Sequence, residues 1–271
     1  NVDYITASYS SIRLGCIHLG RLVQDLITWT GFEVAQIDVA DGFVQISSIM
    51  PQKRNPVPLE HLRLKFSLAS GGAEQVVQTM HNTPFADMND SERETQATGF
   101  QVFDRLDHAL DLLGSFVEAM KTNQPSINRR IQKSMATITE LADTIVRTEK
   151  MGFRAAHHVA SDLARQALLR DIGFDQLPWD LFVTTFEGVT GRKPKMDRKE
   201  MSRATSPEHF IAVREMAGGP GPVTLRQSLN GYSDRLNDLK ISSGEIKTHI
   251  KSADVQLNQV VAEMITGKNK K

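Results

Sequence analysis

The 271-residue chain carries 32 Lys plus Arg against 32 Asp plus Glu, so no net field recruits nucleic acid or an anionic membrane. Its 40% apolar content can bury a sizeable core, as one large domain or two unequal ones. Cys16 is the only cysteine, which excludes an internal disulfide and a thiolate metal cluster and fits a reducing compartment. No apolar run approaches the roughly 18 residues of a membrane span, and no signal peptide is visible. The first residue is Asn1 and a helical pattern is under way by Ile5, so the chain is expected to lack its beginning.

Heptad-like stripes organise the first part. Ile5, Tyr9, Ile12, Cys16, Leu19, Val23 and Leu26 alternate steps of four and three, which predicts a long helix ending at Thr30-Gly31, with the glycine in a left-handed cap. Residues 32–46 read as loop, with only a hint of alternation at Phe43 and Gln45. A second stripe runs through Leu59, Leu62, Phe66, Ala69, Ala73, Val76 and Met80, with Pro56 and Pro58 before its first turn. The small residues Ala69, Gly71, Gly72 and Ala73 would let a neighbouring helix approach closely. After a polar connection with Pro84, Ser91 and Glu94 read as a capping box opening a third rod at Phe103, Leu106, Leu110, Leu113, Val117 and Met120. Phe100, Phe103 and Phe116 read as core. Each rod spans roughly 25 Å or more at about 1.5 Å per residue, and the 3.5-residue spacing favours crossing angles of about +20°.

The pattern changes after Met120. Shorter helices are expected at 138–150, 154–170, 179–189 and 207–216, separated by turn residues such as Gly173, Gly191 and Gly218-Gly219-Pro220. Periodicity resumes at Leu225, Leu229, Tyr232, Leu236 and Leu239, then at Ile246, Ile250, Ala253, Leu257, Val260 and Met264. Ser242-Ser243-Gly244-Glu245 lies between and suggests a break in the last rod. The fold class is therefore all-α, a long-helix bundle with a small all-helical domain. Its segments are 1–120 with a connecting loop at 32–58, 121–222, and 223–271 with a basic tail, Lys268-Asn269-Lys270-Lys271.

The chemistry concentrates in residues 47–60, Ser-Ser-Ile-Met-Pro-Gln-Lys-Arg-Asn-Pro-Val-Pro-Leu-Glu. Hydroxyl, amine and amide groups share one loop between two rods, a natural place for a site. On residues alone, Ser47 and Ser48 would be turn or cap hydroxyls, and Glu60 a first-turn carboxylate favoured by the helix dipole. Ser47 to Asn55 closely resembles, however, the signature loop of the aspartase/fumarase superfamily, Gly-Ser-Ser-x-Met-Pro-x-Lys-x-Asn. Gln52 and the Leu59-Glu60 pair look most like its argininosuccinate lyase branch, and Met151-Gly152-Phe153-Arg154-Ala155-Ala156-His157 and Ala217-Gly218-Gly219 are similar to that branch's later regions.

The resemblance implies a cytoplasmic homotetramer with shared sites, a helical-bundle core and no metal or other cofactor. Its implied reaction is β-elimination of fumarate from a small-molecule N-substituted aspartate, argininosuccinate above all. Family analogy makes Ser47 the base that takes the carbon-bound proton and Glu60 the group that orients a histidine supplied elsewhere. Ser48, Lys53 and Asn55 would bind substrate. Arg54 has no role by this analogy and reads as solvated. A serine hydroxyl is a poor base unless amides and cations stabilise its alkoxide, which the loop would have to supply.

Three departures stand out. Ile46 replaces the glycine before the serine pair. The family's histidine and Arg-Asn segments would fall upstream of Asn1, so this chain alone is expected to lack a complete site. In an approximate alignment, Asp87 and Glu92 stand where the branch carries a tyrosine and a glutamine that hold the leaving amine, so a more cationic amine would suit them. The alternative to an enzyme is a catalytically silent helical scaffold. Elsewhere, His157 and His158 point in different directions on a helix and lack partners at ligand spacing, so they suggest no metal site, and His18, within the first rod, reads as packed or exposed rather than catalytic. Asp87, Asp90, Glu92 and Glu94 match a calcium loop only superficially.

Overall fold

The computed structural model describes residues 2–86 and 93–266, and among them the chain is an all-α protein of ten helices. These are α1 Asp3–Thr30, α2 Val57–Thr79, α3 Arg93–Ala119, α4 Gln124–Ser134, α5 Ile138–Glu149, α6 Phe153–Leu169, α7 Trp179–Thr190, α8 Arg198–Thr205, α9 Pro207–Ala212 and α10 Pro222–Ile265. Four strands of two residues each accompany them: β1 Ile37–Asp38, β2 Gln45–Ile46, β3 Arg54–Asn55 and β4 Lys121–Thr122. The chain divides into two compact units between Arg130 and Ile131. Asp87, Asp90, Ser91, Glu92 and the tail at 268–271 lie outside the described residues, so the calcium-like cluster, the expected capping pair and the leaving-amine positions do too.

In the first unit, α2 packs against both α1 and α3. The first two stripes become its core. Cys16, Val23 and Leu26 of α1 meet Leu59, Leu62, Phe66 and Ala69 of α2, and all are nearly inaccessible to water. Burial pushes the Cys16 thiol above its ordinary pKa, which keeps it a protonated, inert filler. The close approach expected on α2 occurs at Gly72, where an added Cβ would fall 2.7 Å from Val102 Cγ2 of α3.

The third rod forms, but its buried face differs from the expected one. Val102, Ala109, Leu113 and Phe116 are buried, whereas Phe103, Leu110 and Val117 are 49%, 45% and 42% exposed. Phe100 is exposed as well, so of the three phenylalanines read as core only Phe116 is. The sequence of α3 carries two apolar stripes one residue apart, and α2 covers only one of them. The C-terminus of α1 is also closed differently. Gly31 adopts φ −59° and ψ 143°, sending the chain outward extended, while Ala35 takes the left-handed conformation at φ 46° and donates to the Gly31 carbonyl at 2.6 Å.

Residues 32–46, read as loop, contain real pairing. Ile37 is buried, and β1 joins β4 antiparallel with Ile37 opposite Thr122. The segment is further tied at Val34, whose carbonyl accepts from Ser126 Oγ at 3.2 Å and Arg130 Nε at 2.7 Å. Phe43 packs edge-on against the buried Phe116, with ring centroids 6.0 Å apart. Strands this short leave almost no alternation to read, and the partner of β1 is remote in sequence.

The second unit has its own core around Leu141, Ile145, Val159, Leu163, Phe174, Phe182, Phe186 and Met196. α6 packs against α5 and α7, and α5 also meets α8. Two buried carboxylates brace it. Glu149 accepts from Arg192 Nη1 at 2.6 Å and from the amides of Lys195 and Met196 at 2.6 and 2.8 Å. Glu140 accepts from Arg147 at 2.6 Å, Thr144 at 3.1 Å and Arg214 at 3.2 Å. α4 and α8 were not expected. α8 is opened by a capping box in which Asp197 accepts from the Glu200 amide and Glu200 accepts from the Asp197 amide.

Two expected boundaries move. α9 stops at Ala212, because the following turn needs Gly218 at φ 82° and brings Gly219 against the Arg214 carbonyl, where a Cβ would collide. α10 runs unbroken for 44 residues through Ser242-Ser243-Gly244-Glu245, contrary to the expected break. A single interior glycine costs only about 1 kcal/mol against alanine, which a long helix absorbs. The start of α10 is held by Glu215, whose carboxylate accepts from the amides of Val223 at 3.3 Å and Thr224 at 2.9 Å. Along its length the apolar stripe from Leu225 to Met264 is exposed.

Candidate active site

Residues 45–55 form a β-hairpin, with Gln45 opposite Asn55 and Ile46 opposite Arg54. Ser47, Ser48 and Lys53 therefore sit in its connecting loop, and Asn55 ends the outgoing strand. A backbone bond from the Lys53 amide to the Met50 carbonyl at 2.9 Å tightens the Met50-Pro51-Gln52-Lys53 turn. The Ser47 hydroxyl oxygen accepts from two loop amides, Met50 at 3.1 Å and Ile49 at 3.3 Å. Hydroxyl-to-amide turns of this kind are common at Ser, and here they aim two N–H dipoles at one oxygen.

Glu60 lies in the first turn of α2, five residues beyond Asn55, as the expected helix start requires. Pro56 stands at the N-cap position and Pro58 in the first turn, where missing N–H groups cost the helix nothing. Four of the five candidate residues thus share one hairpin, and the fifth follows at the mouth of the next helix. Ser48, Lys53 and Glu60 are exposed, while Ser47 and Asn55 are half-buried. Among the described residues, no side-chain hydrogen bond or ion pair engages Ser48, Lys53, Asn55 or Glu60.

Arg54 differs from the solvated side chain expected of it. Its guanidinium Nη2 donates to the Val39 carbonyl at 2.8 Å and to Asp41 Oδ1 at 2.7 Å. Sequence reasoning missed this because the partners are 13 and 15 residues away in a segment read as structureless. His157 and His158 are both exposed on α6, with His158 Nδ1 3.5 Å from Asp162, and His18 is exposed on α1.

Comparison with known proteins agrees with the fold. A family model described as lyase matches residues 1–71, and one described as argininosuccinate lyase C-terminal matches residues 135–212. Argininosuccinate lyase 2 of Agrobacterium fabrum is 45% identical over 250 residues, covering 92% of this chain and 49% of the relative. Argininosuccinate lyase 1 of Shouchella clausii is 26% identical over 265 residues, covering 98% of this chain and 53% of the relative. The chain thus spans about half the length of the curated relatives it matches. Among solved structures, an EDDS lyase in complex with formate superposes with a TM-score of 0.87 at 21% identity, over 99% of this chain and 53% of that one. The same figures hold for an EDDS lyase variant with bound fumarate, and at that identity they speak to the fold. The chain belongs to the argininosuccinate lyase branch of the aspartase/fumarase superfamily.

Proposed function

We propose that the whole protein is a carbon–nitrogen lyase that releases fumarate from an N-substituted aspartate, with argininosuccinate as substrate and arginine as the amine product. The observation that carries the reading is the Ser47 hydroxyl receiving two amide N–H bonds within a signature hairpin. Removal of a proton from carbon beside a carboxylate needs a strong base, and an alkoxide is one. Its cost is lowered when N–H dipoles already point at the oxygen, since they favour the charged form over the neutral one.

In this reading Ser47 takes the proton from the carbon next to the distal carboxylate. The electrons move onto that carboxylate, giving a dianion held by Lys53, Asn55 and the Ser48 hydroxyl. Collapse of the dianion forms the double bond of fumarate and breaks the carbon–nitrogen bond. The departing nitrogen gains a proton from an acid outside these residues, and Glu60 orients the histidine that takes part on that side. Positioned acid–base groups of this kind contribute about 10²–10⁴-fold each. The reading also includes a homotetramer with sites shared between subunits. The long exposed stripe of α10 and the uncovered second stripe of α3 support it, because apolar faces of that length call for partner helices.

Incubating the full-length protein with argininosuccinate, and separately with aspartates carrying other amines on nitrogen, tests the reading through the ultraviolet absorbance of fumarate. Release from argininosuccinate is expected. Release only from another conjugate would keep the reaction and change the amine. No release from any of them, with the assembly intact, would favour the silent scaffold.

A further inference from the structure

We propose that Arg54 is a positioning residue: with Asp41 and Val39 it forms a latch that fixes the signature hairpin to the core of the first unit. The proposal rests on the lyase reading for its catalytic consequence, and on geometry for the latch itself. Adjacent residues of a strand point to opposite faces, so Arg54 faces away from its neighbour Asn55. A substrate ligand and an anchor can therefore share one two-residue strand without competing.

The anchor's other end is firm. Val39 and Phe43 pack against the first unit's core, Phe43 edge-on to the buried Phe116, and Asp41 lies between them in a single 3-10 turn. Two residues before Val39, the buried Ile37 belongs to the β1–β4 pair. The loop itself has no such support: Ile49 is 87% exposed and Met50 43%. Among the described residues, the Arg54 guanidinium provides the side-chain hydrogen bonds that link the hairpin to this platform, at 2.8 Å to the Val39 carbonyl and 2.7 Å to Asp41. One guanidinium nitrogen thus holds a carbonyl on one side and a carboxylate on the other, and fixes the register of the strand carrying Asn55 next to Lys53. A planar guanidinium forms such divided contacts far better than an ammonium.

The latch contributes little to global stability, because an exposed ion pair is weak. Its effect falls on the placement of Ser47 and Lys53 relative to the reacting carbon, where a misplacement of about 1 Å costs about 10²-fold in rate.

The test compares Arg54→Met, Arg54→Lys and Asp41→Asn in the full-length protein, with kcat, KM, melting temperature and amide hydrogen exchange of Ile49 and Met50 as readouts. Arg54→Met is expected to lower kcat by about ten- to a hundredfold while KM stays within about threefold. The melting temperature is expected to hold within about 2 °C, as for other surface ion pairs. Arg54→Lys recovers part of the loss, and Asp41→Asn loses less than Arg54→Met because the Val39 bond remains. The Ile49 and Met50 amides, which bond to Ser47, exchange faster in Arg54→Met. If the parent turns over and Arg54→Met stays within about twofold of it, the latch is wrong. If the parent releases no fumarate, the lyase reading fails alone, and the exchange rates still decide: unchanged protection in Arg54→Met overturns the latch.

Discussion

Replacing Glu149 by Gln removes one negative charge from the core of the second unit and leaves the side chain's size almost unchanged. The carboxylate is buried, and its oxygens accept bonds of 2.6 Å from Arg192 and of 2.6 and 2.8 Å from the amides of Lys195 and Met196. A glutamine oxygen can satisfy either the two amides or Arg192; its NH₂ then opposes whichever donor is left. Breaking a buried charged pair costs roughly 3–5 kcal/mol, and a hydrogen bond to a charged group contributes about 1.5–3 kcal/mol. Arg192 is 41% exposed, so water recovers part of its loss, and the expected cost is about 3 kcal/mol. Urea unfolding followed by Trp179, which stacks on the buried Phe182, reads this unit once Trp29 is changed to Phe. The midpoint should fall with the slope unchanged.

The pH dependence has a definite sign. Burial alone would raise the Glu149 carboxyl, but the Met196 amide, Arg192 and the Lys195 amide outweigh it and hold its pKa below the ordinary value. Its stabilisation is therefore complete above the unfolded value of about 4.3 and disappears as pH falls through the lower folded value. Parent and Glu149→Gln curves should converge as pH falls through that lowered folded value. A midpoint shift worth less than about 1 kcal/mol at neutral pH, or curves that stay parallel into acid, would refute the reasoning.

Other substitutions probe the remaining contacts. Gly72→Ala drives a methyl group against Val102 and should cost about 1–3 kcal/mol, partly recovered by Val102→Ala, as thermal unfolding would show. Leu62→Ala empties a fully buried site between α1 and α2 and should cost about 2–5 kcal/mol in the first unit's denaturant midpoint. Glu215→Gln weakens the carboxylate seat on the α10 amides, so hydrogen exchange at Val223 and Thr224 should quicken while exchange at the middle of α10 does not change. The Glu215 carboxyl is held below its ordinary value first by the Thr224 amide, so in the parent the protection of these amides, taken against their intrinsic exchange rates, should drop as pH falls through that lowered value.

What the sequence revealed followed from how local each signal was. The stripes of α1 and α2 repeat over seven positions each, so their buried faces were plain from spacing alone. On α3 two stripes overlap, and periodicity cannot say which one α2 takes. Phe103 was the larger residue, but Val102 is the one that fits beside Gly72. The α10 break was inferred from turn-type residues that, in a long helix, cost too little to end it. β1 and β4 leave no signal in the sequence, because a two-residue strand has no period and its partner lies more than 80 residues away. The candidate residues were legible because nine consecutive positions carry the signature. What supports them was not: Arg54 lies within that run, yet its partners Val39 and Asp41 are fixed by the core through Phe43 and Phe116.

Fumarate release by full-length Ser47→Ala, measured beside the parent on argininosuccinate, tests the central claim most directly. Loss of the base should lower kcat by about 10²-fold or more, with the assembly and the fold intact. Turnover within about twofold of the parent would contradict the assignment of Ser47 and the chemistry built on it.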